Sequence, residues 1–208
     1  MGLVLNARQI YAILAPVALM AMMYPIFRLL ARRFGTKNWR LGRYLGLAIY
    51  WLIWGAVFPW MMLGKENIIR IIQPQHLTVK IFFLVLFPLV MSALYKFISK
   101  MKYEKPSLWI FVLLLSTCFG NGIFEELIWR GVYMWLFPNS IMFSIIWPSM
   151  FFALWHYIPG SINPDGNVAG LIIGSGLMGF YLGFLARHTG TIWWTIIMHT
   201  LGGMIMVL

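Results

Sequence analysis

Apolar residues occur along the chain in long continuous runs rather than alternating with polar ones. Seven such runs cover about residues 10–30, 44–64, 79–99, 107–137, 140–158, 168–186 and 190–208. About 20 apolar residues are what an α-helix needs to cross the ~30 Å of a bilayer's hydrocarbon core. The strands of a membrane barrel would instead alternate polar and apolar positions. The pattern therefore predicts an all-α, polytopic bundle of about seven (six to eight) transmembrane helices.

The composition agrees with an integral, multi-pass membrane protein whose main partner is the lipid bilayer. Of the 208 residues, 62% are hydrophobic and only 10% are charged. We interpret the chain as one membrane domain over residues 1–208, with amino-terminal helices in 1–106 and core helices in 107–208. The sequence leaves the oligomeric state open.

The formal net charge of +11 is explained by membrane topology rather than by nucleic-acid binding, and we expect no nucleic-acid partner. Basic residues gather after the first and third runs, as they do in cytoplasmic loops. The two clusters are Arg28, Arg32, Arg33, Lys37, Arg40 and Arg43, and Lys96, Lys100, Lys102 and Lys105. These clusters predict that the amino terminus lies outside. We expect the protein in the cytoplasmic membrane of a bacterium or an archaeon.

Two of the five acidic residues of the chain stand side by side in the fourth apolar run, as Glu125 and Glu126. An ionisable group at the centre of a membrane helix costs about 2.5–3.5 kcal/mol and is therefore a functional candidate with a partner. Arg130 is four residues after Glu126, on the same helix face, so these two can form an ion pair. Glu125 has no such partner in its own helix. We therefore assign Glu125 to chemistry and the Glu126–Arg130 pair to orientation.

Two histidines, His156 and His199, lie in other apolar runs. Phe152 precedes His156 by four residues, so its ring can pack over the imidazole. Two histidines and a glutamate pair from three helices can line one cavity. Such a set could polarise water, relay protons or bind a metal. The His-Glu-x-x-His pattern of helical zinc sites does not occur in the chain.

These residues resemble the motifs of the CPBP family, the CAAX prenyl proteases and bacteriocin-processing enzymes, which are also called Abi proteins. The family shows Glu-Glu-x-x-x-Arg, Phe-x-x-x-His and His-x-x-x-Asn, each in a membrane helix. Here the first motif is Glu125–Arg130 and the second is Phe152–His156. Residues 183–199 resemble the family's sequence just before and into its third motif, which begins with His199. The resemblance covers about residues 107–203, whereas the amino-terminal half matches only as generic membrane helices.

The resemblance implies an intramembrane endopeptidase of the glutamic type, formerly called metallo-, that needs no cofactor. In that family the first glutamate and first histidine, here Glu125 and His156, are thought to activate water. The last histidine, here His199, and the asparagine are thought to stabilise the oxyanion. Gly203 stands where the asparagine is usual, and losing one oxyanion donor costs roughly 10²–10³ in turnover. The departure puts catalysis itself in question.

Several alternatives remain open at this stage. Glu125, His156 and His199 could instead hold a catalytic zinc, which needs three protein ligands and a water. The chain could also be a non-catalytic chaperone or immunity protein of the same family, or a proton-coupled transporter. The substrate could be a prenylated protein, a bacteriocin leader, a sorting-signal tail or a peptide pheromone.

Overall fold

A computed structural model describes residues 5–98, 107–163 and 166–207 of the chain. These residues form seven consecutive helical segments and no strand. The helices are α1 (Ala7–Phe34), α2 (Trp39–Ile71), α3 (Val79–Ile98), α4 (Leu108–Leu136), α5 (141–155), α6 (Val168–Thr189) and α7 (Trp193–Val207). The predicted helical membrane bundle is confirmed.

Five of the described helices, α1 to α4 and α6, are long and apolar enough to cross a membrane. The other two are shorter, and α7 has 15 residues. The predicted runs match these seven helices one for one, but α2 continues through Ile71 rather than ending near residue 64. A kink explains the difference, because Gly64 adopts a positive φ of 75° and the chain resumes as helix beyond it. Glycine takes this backbone conformation without the penalty of a Cβ.

Local capping fixes the ends of α1. The side chain of Asn6 accepts a hydrogen bond from the backbone N–H of Gln9, and the Gln9 side chain bonds back to the backbone of Asn6. This reciprocal box satisfies two N–H groups that have no partner within the helix. At the other end Gly35 stops the helix with a φ of 61°, and α2 turns back against α1.

Aromatic side chains from α2, α4 and α5 build the centre of the bundle. The rings of Tyr50 and Trp155 stack with their centroids 4.1 Å apart, and Trp129 Nε1 donates to the Tyr50 hydroxyl at 2.9 Å. The Tyr133 hydroxyl donates to the carbonyl of Ala12 in α1 at 2.7 Å. Each buried polar atom of these rings thus has a hydrogen-bond partner. These contacts fix the positions of α1, α2, α4 and α5 relative to one another.

The central helix α4 is continuous through Gly120 and Gly122. It contains two π-helical stretches, Asn121–Glu125 and Leu127–Val132. Its glycines let neighbours approach closely, since a Cβ on Gly122 would collide with the hydroxyl of Thr200 in α7. Close approach through small residues is how membrane helices gain contact. It brings α7 directly against the acidic doublet.

Candidate active site

The acidic doublet lies fully inside the bundle. Glu125, Glu126 and Arg130 are 1%, 0% and 2% exposed. Arg130 NH1 donates to Glu126 Oε1 at 2.9 Å, and the Arg130 guanidinium also stands 4.3 Å from the centre of the Phe152 ring. The pair predicted from the four-residue spacing is therefore formed, and Phe152 from α5 covers it.

Glu125 finds its partners in other helices. Its Oε1 accepts a hydrogen bond from Trp155 Nε1 at 3.1 Å. Its Oε2 has no hydrogen-bond partner in the described part of the protein and lies 3.6 Å from His199 Nε2. One oxygen of the carboxylate is thus anchored by α5, while the other faces the imidazole of α7 and is free to take a proton.

His199 contacts both carboxylates of the doublet. Its Nδ1 lies 2.7 Å from Glu126 Oε1, and its Nε2 faces Glu125. An ionised carboxylate only accepts hydrogen bonds, so Nδ1 carries a proton when Glu126 is ionised. The ring is then fixed in orientation, and its Nε2 points towards the first carboxylate.

π-Helical geometry helps to explain how adjacent glutamates reach one ring. In an α-helix they would point about 100° apart. In a π-helix the hydrogen bonds run from i to i+5, so more residues fill each turn and the angle between neighbours is smaller. Glu125 ends the first π-helical stretch, and Glu126 joins it to the second.

His156 is placed by the end of α5. There the backbone N–H of His156 bonds to Ala153, one residue closer than α-helical bonding would give. The carbonyl of Phe152 is left free and lies 2.7 Å from His156 Nδ1. A carbonyl only accepts, so Nδ1 carries the proton and Nε2 is left as an acceptor. His156 can therefore accept a hydrogen bond from a water or a peptide N–H.

The two histidines flank one phenyl ring. The centroid of Phe152 lies 4.5 Å from that of His156 and 6.0 Å from that of His199, each with an edge contact. His156 is also close enough to His199 for their charges to interact. The structure thus brings Glu125, Glu126, Arg130, Phe152, His156 and His199 together in a single cluster at the meeting of α4, α5 and α7.

Gly203 lies outside these contacts. A Cβ on Gly203 would point at Cys118 in α4 and sit 3.3 Å from its Sγ. No side-chain donor stands at this position, and the sulfur of Cys118 narrows the space that one would need.

Sequence reasoning missed two neighbours of the cluster, Trp155 and Arg43. Tryptophan is abundant in membrane helices, so the residue beside His156 gave no separate signal of contact with Glu125. Arg43 was assigned to a basic loop, but it lies in α2, close enough to Glu125 and His156 for their charges to interact. The five basic residues that precede Arg43 in the sequence made it look like part of the same loop.

The zinc alternative can be compared with the arrangement of the possible metal ligands. Within the part of the chain that the structure describes, no group of three or more His, Cys, Asp or Glu side chains is arranged to hold a metal ion. Zinc binding remains a prediction that metal analysis can test.

Fold and cluster together define a helical membrane protein with a buried glutamate–histidine site. Residues 107–205 match the family model described as type II CAAX prenyl endopeptidase, Rce1-like. The match covers the carboxyl-terminal part of the chain, which contains α4 to α7, and the resemblance deduced from the motifs is confirmed. A search of curated proteins and a search of solved structures found no match.

Proposed function

We propose that the protein is an intramembrane endopeptidase that hydrolyses peptide bonds of membrane-associated or lipidated substrates. The family match supports a peptidase, and one observation carries the rest of the proposal. The Glu125 carboxylate is buried, and its Oε2 has no hydrogen-bond partner among the described residues while facing His199. A carboxylate held this way can accept a proton from a water that attacks a carbonyl.

Each residue of the cluster has a distinct role in this proposal. Glu125 is the general base, and the free Nε2 of His156 accepts a hydrogen bond from the attacking water. His199 donates from Nε2 to the oxyanion, which requires the ring to be protonated on both nitrogens. The charges of Glu125, Glu126, Arg130 and a protonated His199 sum to zero, so the low-dielectric interior tolerates this state.

Supporting contacts hold these groups in place. Glu126 accepts hydrogen bonds from both Arg130 and His199 through Oε1, so one carboxylate fixes the imidazole against the central helix. Trp155 holds the first carboxylate from the opposite side. Preorganised groups of this kind do not have to reorganise when charge develops in the transition state.

A reporter assay tests the proposal directly. A membrane-anchored reporter with a prenylated carboxyl-terminal peptide is co-expressed with the wild type, with Glu125→Gln and with His156→Ala. We expect both variants to be expressed and folded but to lose cleavage by 10²-fold or more, as removal of a general base typically does. Equal processing by wild type and Glu125→Gln would remove this carboxylate from the mechanism. Metal analysis of the purified wild type and His156→Ala tests the zinc alternative.

The glycine at position 203 favours a second candidate, a non-catalytic membrane chaperone or immunity protein. The absence of an asparagine side chain there removes one donor that the family uses. This candidate predicts that Glu125→Gln keeps the biological activity while Arg130→Ala destabilises the fold. The reporter assay separates the two candidates, because only a protease cleaves the reporter and loses that cleavage with the glutamine variant.

A further inference from the structure

Asn121 is a polar residue of α4 to which the mechanism above gives no role. Its side chain is half-buried, and its Oδ1 accepts a hydrogen bond from Trp51 Nε1 of α2 at 3.1 Å. An indole N–H only donates, so the carboxamide must present its oxygen to the tryptophan. The amide nitrogen therefore points away from Trp51, and its two N–H groups donate to none of the described residues.

The spacing along α4 places Asn121 next to the proposed general base. Asn121 begins the π-helical stretch that Glu125 ends. Residues four apart lie on one helix face with their Cβ atoms about 5–6 Å apart. The wider turns of a π-helix keep such residues on the same face. The amide is thus one helical turn from the carboxylate.

Helix α7 runs along this face of α4 in the opposite direction. His199 Nε2 lies 3.6 Å from Glu125 Oε2, and a Cβ on Gly203 would lie 3.3 Å from Cys118 Sγ. Asn121 lies at a level between these two contacts. Because Gly203 has no side chain, position 203 of α7 contributes no group that could bond to the amide. The N–H groups of Asn121 are left for a bound molecule.

Helix α2 fixes both Asn121 and Glu125. Trp51, which bonds to Asn121, directly follows Tyr50 in the chain. The Tyr50 ring stacks on Trp155 with a centroid distance of 4.1 Å, and Trp155 donates to Glu125. One turn of α2 thus orients the amide and, through Trp155, the carboxylate. A donor held in this way does not have to reorganise when charge develops next to it.

We propose that Asn121 donates a hydrogen bond from Nδ2 to the carbonyl oxygen of the scissile peptide bond. This inference rests on the proposed function and adds a second donor to His199. Glu125 takes a proton from water, the water oxygen bonds to the carbonyl carbon, and the C=O π pair moves onto the carbonyl oxygen. Asn121 transfers no proton. Two donors that each lie about 2.7–3.1 Å from one oxygen are at most about 6 Å apart, which one helical turn of about 5.4 Å matches.

Turnover of a prenylated, quenched fluorescent peptide by the full chain in nanodiscs tests the inference. Asn121→Ala removes the amide, and Asn121→Asp removes both N–H donors but keeps an acceptor for Trp51. Trp51→Phe removes the same bond between helices and keeps the amide. Asn67→Ala is the matched control, because Asn67 is another half-buried helical asparagine whose Nδ2 donates within its own helix, to the carbonyl of Leu63.

Asn121→Ala should lower kcat by about 10²–10³, as loss of one oxyanion donor does, and leave KM nearly unchanged. Asn121→Asp should lower kcat at least as much. Trp51→Phe should lower it by about tenfold or less, the range of one neutral hydrogen bond, and Asn67→Ala should not change it. Equal losses for Asn121→Ala and Trp51→Phe would show that only the bond between helices matters. That result, or a change in KM alone, would overturn the inference.

Binding of two uncleavable peptides tests the same donor without turnover. A phosphinic peptide carries an anionic oxygen on a tetrahedral centre, whereas a reduced peptide with CH₂–NH at the same bond has no oxygen there. Asn121→Ala should weaken binding of the phosphinic peptide about tenfold to a hundredfold, the range of a charge-assisted hydrogen bond. It should leave the affinity for the reduced peptide unchanged, which also shows that the variant is folded. If Asn121→Ala does not bind the reduced peptide, Asn121→Asp takes its place.

The two measurements separate this inference from the proposed function. If Glu125→Gln abolishes cleavage while Asn121→Ala changes neither kcat nor the affinity for the phosphinic peptide, proteolysis stands and the inference fails. If that affinity depends on Asn121 but the wild type cleaves no peptide, the donor stands and proteolysis fails. If the wild type neither cleaves nor prefers the phosphinic peptide, both are wrong.

Discussion

Replacing Arg130 by methionine should unfold the protein more readily than any other single change in the cluster. Methionine keeps much of the side-chain volume but removes the charge that Glu126 contacts at 2.9 Å. Breaking a buried pair by deleting one partner costs about 3–5 kcal/mol, because the other charge is left uncompensated. Loss of the contact with the Phe152 ring adds about 0.5–2 kcal/mol. We expect a total loss of about 3.5–7 kcal/mol.

The physical cause can be isolated with a double-mutant cycle. Glu126→Gln removes the stranded charge, so the double variant Glu126→Gln, Arg130→Met should be more stable than Arg130→Met alone. Free energies of unfolding are measured in mixed micelles with increasing SDS. Arg40→Met, a change at an exposed position, serves as the control and should stay within about 0.5 kcal/mol of the wild type. Additive losses for Glu126→Gln and Arg130→Met would show that the pair does not stabilise the fold, and the reasoning would be refuted.

Three further changes probe the contacts around the doublet. Trp155→Phe keeps the stack on Tyr50 but removes the donor to Glu125, so unfolding titrations should show a loss of about 1–3 kcal/mol together with slower reporter cleavage. Gly122→Ala drives a methyl group into Thr200 and should cost about 1–3 kcal/mol, whereas Gly174→Ala, which meets nothing within 4 Å, should be neutral. Gly203→Asn alone should not raise turnover, because Cys118 Sγ lies 3.3 Å from the new Cβ. In a Cys118→Ala background the same asparagine should raise turnover tenfold or more, and no gain there would exclude position 203 as an oxyanion donor site in this chain.

Long apolar runs made the helices predictable, since lipid demands internally bonded backbone over a fixed length. The Glu126–Arg130 pair was predictable as well, because it depends on spacing within one helix. The extension of α2 beyond Gly64 was not, since a single glycine conformation decides it. Contacts between helices could not be predicted from the sequence either. The hydrogen bond between Trp155 and Glu125, for example, depends on how α5 packs against α4.

The position of Arg43 shows why charge counts along a sequence can mislead. Five of its basic neighbours fit a cytoplasmic loop, and a rule that scores the whole run assigns all six residues the same task. Arg40 and Arg43 both lie in α2, which begins at Trp39, but Arg40 is exposed whereas Arg43 is partly buried. Arg43 also shares a helix face with Tyr50, which stacks on Trp155 of the cluster.

The cluster also explains why two acids can be kept within an apolar bundle. Each carboxylate uses one oxygen for a fixed contact, Glu125 with Trp155 and Glu126 with Arg130 and His199. The second oxygen of each is buried without a hydrogen-bond partner among the described residues. A buried oxygen without a hydrogen-bond partner costs about 1–3 kcal/mol of stability, and more when it is charged. If these residues served only for packing, the protein would be more stable with apolar residues in their place. The uncompensated Oε2 of Glu125, facing an imidazole, is what a site that takes up a proton during each turnover requires. This is why the doublet is better explained by chemistry than by packing.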